Sequence, residues 1–335
     1  MNTRVRVLIS ILNWNGSRDT VACVHSLQQT VVDPGVEFHI RVIDNASRPE
    51  EIAVLQSQLP PGVEVFYNTS NAGFTGGQNI NIEHAISKGY DYVWLLNNDT
   101  QVPANALNRV VQALEANPQA GAASPLIVRL GDTQTVDFCG AIHDWQLIDT
   151  VRCPTLAQAQ AFCEQHKAKL WAMGTALMLR VQAVKQVGLL NPKLFAYYED
   201  DDYGARLIAH GWQTTMVLNA YVEHACFDGD MYRRAPYFFY LMNRNALLVA
   251  LAHTPKTHRR LLRLRFVDRA LVMAQKLADQ GQPAKSDACL LGLVDGLRGV
   301  GGPPRLDRAV PFWLRVLRPI SRFWNRNNPP RPAQA

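Results

Sequence analysis

The sequence predicts an α/β fold, a mostly parallel, doubly wound sheet followed by a helical extension at the C-terminus. Three observations carry that expectation. Apolar, strand-like runs alternate with segments of helical spacing through the first hundred residues, the pattern of a parallel sheet with crossover helices. The runs are apolar almost throughout rather than at every second position, which fits strands covered on both faces. From residue 236 onward the pattern turns helical and rich in arginine.

In order, Val5 to Asn13 (VRVLISILN) is the first strand, and 17–29 a helix with Val21, Val24 and Leu27 at helical spacing. Phe38 to Asp44 is the second strand and 50–58 a short helix. Val63 to Tyr67 is the third strand, 76–88 the next helix and Tyr92 to Leu96 the fourth strand. Pro103 opens a helix to Glu115, since proline in the first turn gives up no helical hydrogen bond. Residues 120–128 read as another strand, and between 132 and 170 no period dominates. Trp171 to Arg180 is strand-like with a glycine break. Phe195 to Arg206 passes from an aromatic strand into an acidic helix start.

Composition narrows the class. Of the 335 residues, 47% are hydrophobic and 19% charged, enough for a sizeable core and incompatible with global disorder. The length allows two domains, or one large α/β domain with an extension. Net charge is +6, unevenly spread: residues 256–335 hold 16 Lys+Arg against 5 Asp, whereas 1–255 hold 18 against 23 Asp+Glu. An acidic body carries a basic tail, and only the tail invites an anionic surface. No basic and apolar leader precedes the first strand, and Asn243, Arg244 and Asn245 interrupt the longest apolar run. A cytoplasmic protein is expected, its six scattered cysteines reduced and without a zinc site.

Ligands of open α/β sheets bind beyond the carboxyl ends of the strands. Here those ends are polar: Asn13-Trp14-Asn15-Gly16, then Asp44-Asn45-Ala46-Ser47, then Asn71-Ala72-Gly73-Phe74-Thr75-Gly76-Gly77-Gln78-Asn79, then Asn97-Asn98-Asp99-Thr100. One such end is an ordinary turn or helix cap. Four in one sheet mark a shared site. The glycines permit close backbone approach and open a helix, yet match neither GxGxxG nor a P-loop, so dehydrogenase and ATPase readings lose their main support. GxSxG and HExxH are absent as well.

Two acidic signals could carry chemistry. Glu199-Asp200-Asp201-Asp202 follows Phe195 and two tyrosines, so at least one carboxylate should face the core, where a raised pKa suits a general base. The same acids also complement a helix N-terminus, and Arg206 is placed to pair with Asp202 one turn on. Asp99, at a strand carboxyl end, is either a turn residue or the usual kind of residue to hold Mg2+ or Mn2+ beside a diphosphate; His224 could supply a further ligand, although a single His is more often structural.

In this order the stretches ILNWNG, VIDNAS, NTSNAGFTGGQN, LLNNDT, GTALMLR, FAYYEDDDYGARL and YLMNRNALLVA resemble the family 2 glycosyltransferases of the GT-A fold, in particular the bacterial rhamnosyltransferase-like branch. The resemblance spans about residues 5 to 250. It implies a Rossmann-like catalytic domain over 1–235, with a nucleotide-sugar half to about 120 and an acceptor half over 121–235. The helical basic extension would then cover 236–325 and a disordered tail 326–335. By resemblance, Asp44 with Asn13 and Asn15 would meet the nucleotide, and Asn71, Gly73, Gly76, Gly77 and Asn79 would line the nucleotide-sugar pocket. Asn97 and Asn98 border that pocket. Asp99 would bind the metal with His224, Asp200 beside Glu199 would be the general base, and Gly174 and Thr175 would lie near the acceptor. The family's usual Asp-x-Asp reads Asn97-Asn98-Asp99 here, which removes one charge from the metal site.

The implied reaction is an inverting transfer, L-rhamnose from dTDP-rhamnose as first donor, onto a glycan or lipid-linked hydroxyl in surface-polysaccharide or lipopolysaccharide synthesis. UDP-galactofuranose and UDP-hexoses remain alternatives, as does a catalytically degenerate carbohydrate-binding assembly subunit. A sugar-phosphate nucleotidyltransferase would carry a basic Gly-rich loop after the first strand, where this chain has Asn-Trp-Asn-Gly. The tail mixes Trp, Phe and Leu with Arg over 311–326, which suits either an anionic membrane surface on the inner face of the plasma membrane or a helical cap with a solvated basic face. Nucleic acid is not expected, because no recognition motif accompanies the charge.

Overall fold

The computed structural model describes residues 4–144, 149–225 and 231–318. They fall into two compact units: 4–144, 149–195 and 199–225 form the first, while 196–198 and 231–318 belong to the second.

The first unit is built on a mixed sheet. Its parallel half joins β1 (Val5–Asn13), β2 (Val36–Asp44), β3 (Glu64–Tyr67) and β4 (Tyr92–Asn97), wound through α1 (Ser17–Gln28), α2 (Pro49–Gln58) and α3 (Gly73–Ser87). Asn13 stands opposite Asp44, and Leu12 opposite Asn97, so the register brings three polar strand ends level. After β5 (Thr100–Gln101) and α4 (Ala106–Ala116), β6 (Ala120–Arg129) continues the sheet. β11 (Ala176–Arg180) lies antiparallel between β4 and β6, and β12 (Gln213–His224) runs parallel to β6 and antiparallel to β5. β1 and β4 are buried almost throughout, with Ile9, Val93 and Trp94 at the centre of the core.

A second, three-stranded sheet orders as β10-β8-β9, from β8 (Ala141–Asp144), β9 (Asp149–Arg152) and β10 (Leu170–Trp171). Strand β7 (Asp132–Phe138) pairs with β6, and α5 (Leu156–Gln165) precedes β10. Helices α6 (Val181–Val187) and α7 (Glu199–Ala209) complete the unit, while α8 (Pro236–His253), α9 (Arg259–Asp279) and α10 (Pro283–Arg298) form the second.

Several expectations need correction. The third helix begins at Gly73, not at 76, because Gly73 takes φ +72 and the Asn71 side chain accepts its N–H at 2.8 Å. Pro103 lies in a turn before α4, accepting the Ala106 N–H. The 171–180 strand is two strands in two sheets, broken at Gly174. The aromatic strand at 195 is absent: Phe195, Tyr197 and Tyr198 adopt φ of 66, 69 and 69. Left-handed backbone at bulky residues costs about 1–3 kcal/mol each and persists only where surroundings enforce it. Strand β12 was not read at all, because a register break between Val217 and Tyr221 interrupts its apolar period. The proposed tail 326–335 lies outside the described residues.

Candidate active site

The strand ends form a polar bracket. Asn13 Nδ2 donates to Asp44 Oδ1 at 2.8 Å and to Ser47 Oγ at 3.1 Å, while its Oδ1 accepts from Thr20 at 2.8 Å. Asp44 also accepts the Ser47 N–H. Asn15, in the left-handed region, donates its N–H to Ser47 and accepts from the Arg48 N–H. Asn98 donates to Gly16 O and to Thr20 Oγ1 at 3.1 Å each. The bracket locks α1 and the β2 loop around the ends of β1 and β4, and buries Asp44 completely.

Asn45 organises the neighbouring loop. Its amide nitrogen donates to Asn71 Oδ1 and Gly73 O, and its oxygen accepts from Asn68 Nδ2 and the Ala72 N–H. The glycines beyond it answer to packing. A Cβ on Gly73 would strike Phe195, one on Gly76 would approach Ala72 Cβ to 2.8 Å, and one on Gly77 would strike Leu12. Asn79 sits deeper in α3 and clamps Leu190, donating to its O at 2.9 Å and accepting its N–H at 3.0 Å. The structure therefore places Asn13, Asn15, Asp44, Asn71, Gly73, Asn97 and Asn98 around the strand ends, and Gly77 and Asn79 at helix-packing contacts.

Asp99 meets His224 because β5 pairs with β12, with His224 opposite Thr100. His224 Nε2 lies 3.3 Å from Asp99 Oδ1 and 3.5 Å from Asn97 Nδ2. Asp19 on α1 is close enough for the Asp99 charge, after burial, to raise its pKa. Among the described residues no set of three or more His, Cys, Asp or Glu converges on a metal position. The pair present still fits a divalent ion. Adjacent ligands of an octahedral ion with bonds of about 2.1 Å lie about 3 Å apart, and Mg2+ takes one or two protein groups, with water and substrate phosphates completing the shell.

The acidic run opens α7. Gly174 N–H donates to Asp200 Oδ2 at 2.9 Å, and the Asp201 N–H to Oδ1 at 2.9 Å. Burial first, then the charge of Asp201, pushes the Asp200 carboxyl up to about 7, against the two N–H groups that favour its ionised form. Glu199 is buried beside it, within reach of a Gly174 Cβ. Arg206 binds Asp202 at 2.8 Å, as the spacing predicts. Thr175 O accepts the Asn97 N–H at 2.9 Å, so one short turn ties the end of β4 to Asp200.

These polar strand ends, a carboxylate–imidazole pair and a high-pKa aspartate on α7 accompany a match of residues 9–151 to the family described as Glycosyl transferase family 2. That stretch, a little under half of the chain, is similar to the family 2 glycosyltransferases. Galactofuranosyltransferase GlfT1 of Mycolicibacterium smegmatis is 22% identical over 262 residues, 73% of this chain and 84% of that protein. The N-acetylglucosaminyl-diphospho-decaprenol L-rhamnosyltransferase of Mycobacterium tuberculosis is 32% identical over 143 residues, 40% of this chain and 47% of that protein. The match thus spans about half the length of the rhamnosyltransferase. Mannosyltransferase PcManGT from Pyrobaculum calidifontis, solved in complex with GDP-Man and Mn2+, superposes with a TM-score of 0.52 at 14% identity, over 97% of this chain and 82% of that one. S. aureus TarS gives 0.54 at 14% identity, over 97% and 53%. These likenesses establish the GT-A fold of the glycosyltransferase.

Sequence reasoning named Asn45 and Ser47 at the second polar strand end without giving them a role of their own, and it missed Thr20. It also missed Asp19 and His143, for which the sequence holds no signal, since tertiary pairing alone places them.

Proposed function

We propose that this glycosyltransferase moves a sugar, with inversion, from a nucleotide diphosphate sugar to a hydroxyl of a glycan or lipid-linked acceptor in bacterial surface-polysaccharide synthesis. The observation that carries the reading is Asp200: a carboxylate with a proton affinity near neutrality, aimed by the Gly174 N–H. In this reading Asp200 takes the proton of the acceptor hydroxyl as its oxygen attacks the anomeric carbon. The bond from that carbon to the diphosphate breaks on the opposite face, and its electron pair leaves with the phosphate oxygen. No carboxylate is needed as a nucleophile. Asp99 and His224 would hold a divalent ion, which when bound offsets the charge growing on the diphosphate. Asp44 with Asn13 and Asn15, and the Asn71 to Gly76 loop, would frame the nucleotide-sugar pocket; Gly174 and Thr175 would border the acceptor.

dTDP-L-rhamnose is the first donor, supported by the rhamnosyltransferase at 32% identity. UDP-galactofuranose is the second, favoured by a galactofuranosyltransferase whose match covers most of both chains. A thermal-shift panel of dTDP-, UDP- and GDP-sugars with and without Mn2+ tests the reading. Metal-dependent stabilisation by one nucleotide class, lost in Asp99→Ala, is expected. Equal response of the wild type and Asp99→Ala would remove Asp99 from the donor site.

The second unit supports peripheral contact with an anionic membrane. Among the described residues no helix is long and apolar enough to cross a membrane. Leu261, Leu264 and Val272 share the exposed face of α9. In the helical segment 312–318, Phe312 and Trp313 are 79% and 54% exposed, with Val316 and Leu317 open one turn on. Arg318 Nε, donating to Gln275 at 3.1 Å, joins this segment to α9. Arginines flank both faces, the arrangement that binds anionic headgroups.

A further inference from the structure

Strand β8 brings His143 to the acidic start of α7. Its Nε2 lies 3.1 Å from Asp201 Oδ1, and the two side chains are only 7% and 14% exposed. The ring stacks on Trp171 of β10, with centroids 4.9 Å apart and planes inclined by 3°. Thr150 Oγ1 on β9 stands 3.2 Å from the other ring nitrogen, Nδ1. Asp201 and Thr150 thus face the two ring nitrogens from opposite sides, at ion-pair and hydrogen-bond distance respectively. Three strands of the small sheet thus fix one imidazole against one carboxylate. That carboxylate adjoins the Asp200 base, whose other close neighbours are Glu199 on α7 and the Gly174 N–H from the turn before β11.

We propose that His143 is a positioning residue for the base: held by Trp171 and Thr150, it binds the Asp201 carboxylate and sets how much of that negative charge reaches Asp200. The inference rests on the reading of Asp200 as general base. After burial, the charge of Asp201 is the largest influence that raises the proton affinity of Asp200. Asp202 is bound by Arg206. An unpartnered Asp201 would disfavour ionisation of Asp200; the imidazole withdraws part of that effect. The small sheet, remote in sequence from α7, then takes part in tuning the base.

The test is a carbon-detected pH titration of the full-length protein labelled at aspartate carboxyls, the Asp200 signal being identified by its loss in Asp200→Asn. His143→Phe keeps a ring against Trp171 and loses the N–H. It should raise the Asp200 midpoint by about half a pH unit or more. His143→Gln, whose amide can itself donate to the Asp201 carboxylate, should return the midpoint towards wild type. In an Asp201→Asn background, His143→Phe should leave it unchanged. An unmoved midpoint in His143→Phe, or an equal shift in the Asp201→Asn background, overturns the proposal. If His143→Phe does not fold, Thr150→Val at an exposed position should give a smaller shift of the same sign, and no shift overturns the proposal equally. Because the titration needs no substrate, it separates from the failure of Asp200 as base, which retained turnover in Asp200→Asn would report.

Discussion

Asp200 is subject to opposing influences, burial and the charge of Asp201 raising its proton affinity and two backbone N–H groups lowering it; the raising influences win. Two outcomes follow at this residue. A base must be unprotonated, so turnover should climb as pH rises through about 7, the value to which the carboxyl is pushed. Asp200→Asn should keep nucleotide binding and cut turnover by about 10²-fold or more. Stability runs the other way. The folded-state pKa lies above the unfolded value, so the folded protein holds more protons between about pH 4 and 7 and loses stability as pH rises across that window. Melting temperatures of Asp200→Asn and wild type should therefore diverge in favour of the mutant from pH 5 to pH 8; parallel curves would contradict the buried carboxyl. The run Glu199 to Asp202 was legible as a candidate base because acids before a helix beside aromatics are conspicuous. Its division of labour was not. Asp202 binds Arg206 within the helix, whereas the His143 contact to Asp201 comes from a strand more than fifty residues earlier in the chain.

Helix starts and helix crossings decide the next level. The left-handed residues Phe195, Tyr197 and Tyr198 replace an expected strand, and the chain holds the segment's carbonyls with specific donors. Phe195 O takes the Thr75 N–H at 3.0 Å. Buried Asn245 on α8 donates to Ala196 O at 2.7 Å and to Tyr197 O at 2.8 Å, and it accepts from Arg244 Nε at 2.8 Å. Removing that amide takes one hydrogen bond each from two part-buried carbonyls and the buried Arg244 guanidinium, so Asn245→Ala should lower stability by about 2–3 kcal/mol in urea unfolding. Helix packing in the second unit gives another prediction. A Cβ on Gly292 of α10 would strike the Tyr240 carbonyl oxygen of α8 and sit 3.0 Å from its carbon. Alanine gains about 1 kcal/mol of helix propensity over glycine, yet overpacking against backbone costs about 1–3 kcal/mol. Gly292→Ala should lower the melting temperature, because a backbone carbonyl cannot swing aside. The strands β1, β2 and β4 and the helices of the C-terminal region were readable because their periods are local. The small sheet was not, since β8, β9 and β10 are short and their pairing joins segments that show no period of their own.

Across the whole molecule, charge and exposed apolar surface concentrate in the second unit. Replacing Phe312, Trp313, Val316 and Leu317 with serine should reduce sedimentation with anionic vesicles severalfold, with little change on neutral ones. Unchanged partitioning would reassign the face to ordinary solvent exposure. By itself the sequence determined the α/β class, the polar strand ends, the acidic run and the basic tail, because strand and helix periods, turn residues and charge are properties of neighbours along the chain. The tertiary structure decided which of those residues meet. The β5–β12 pairing puts Asp99 beside His224, the turn before β11 aims an N–H at Asp200, and the small sheet sets His143 on Asp201. Those relations depend on long-range register and burial, which composition and periodicity do not encode.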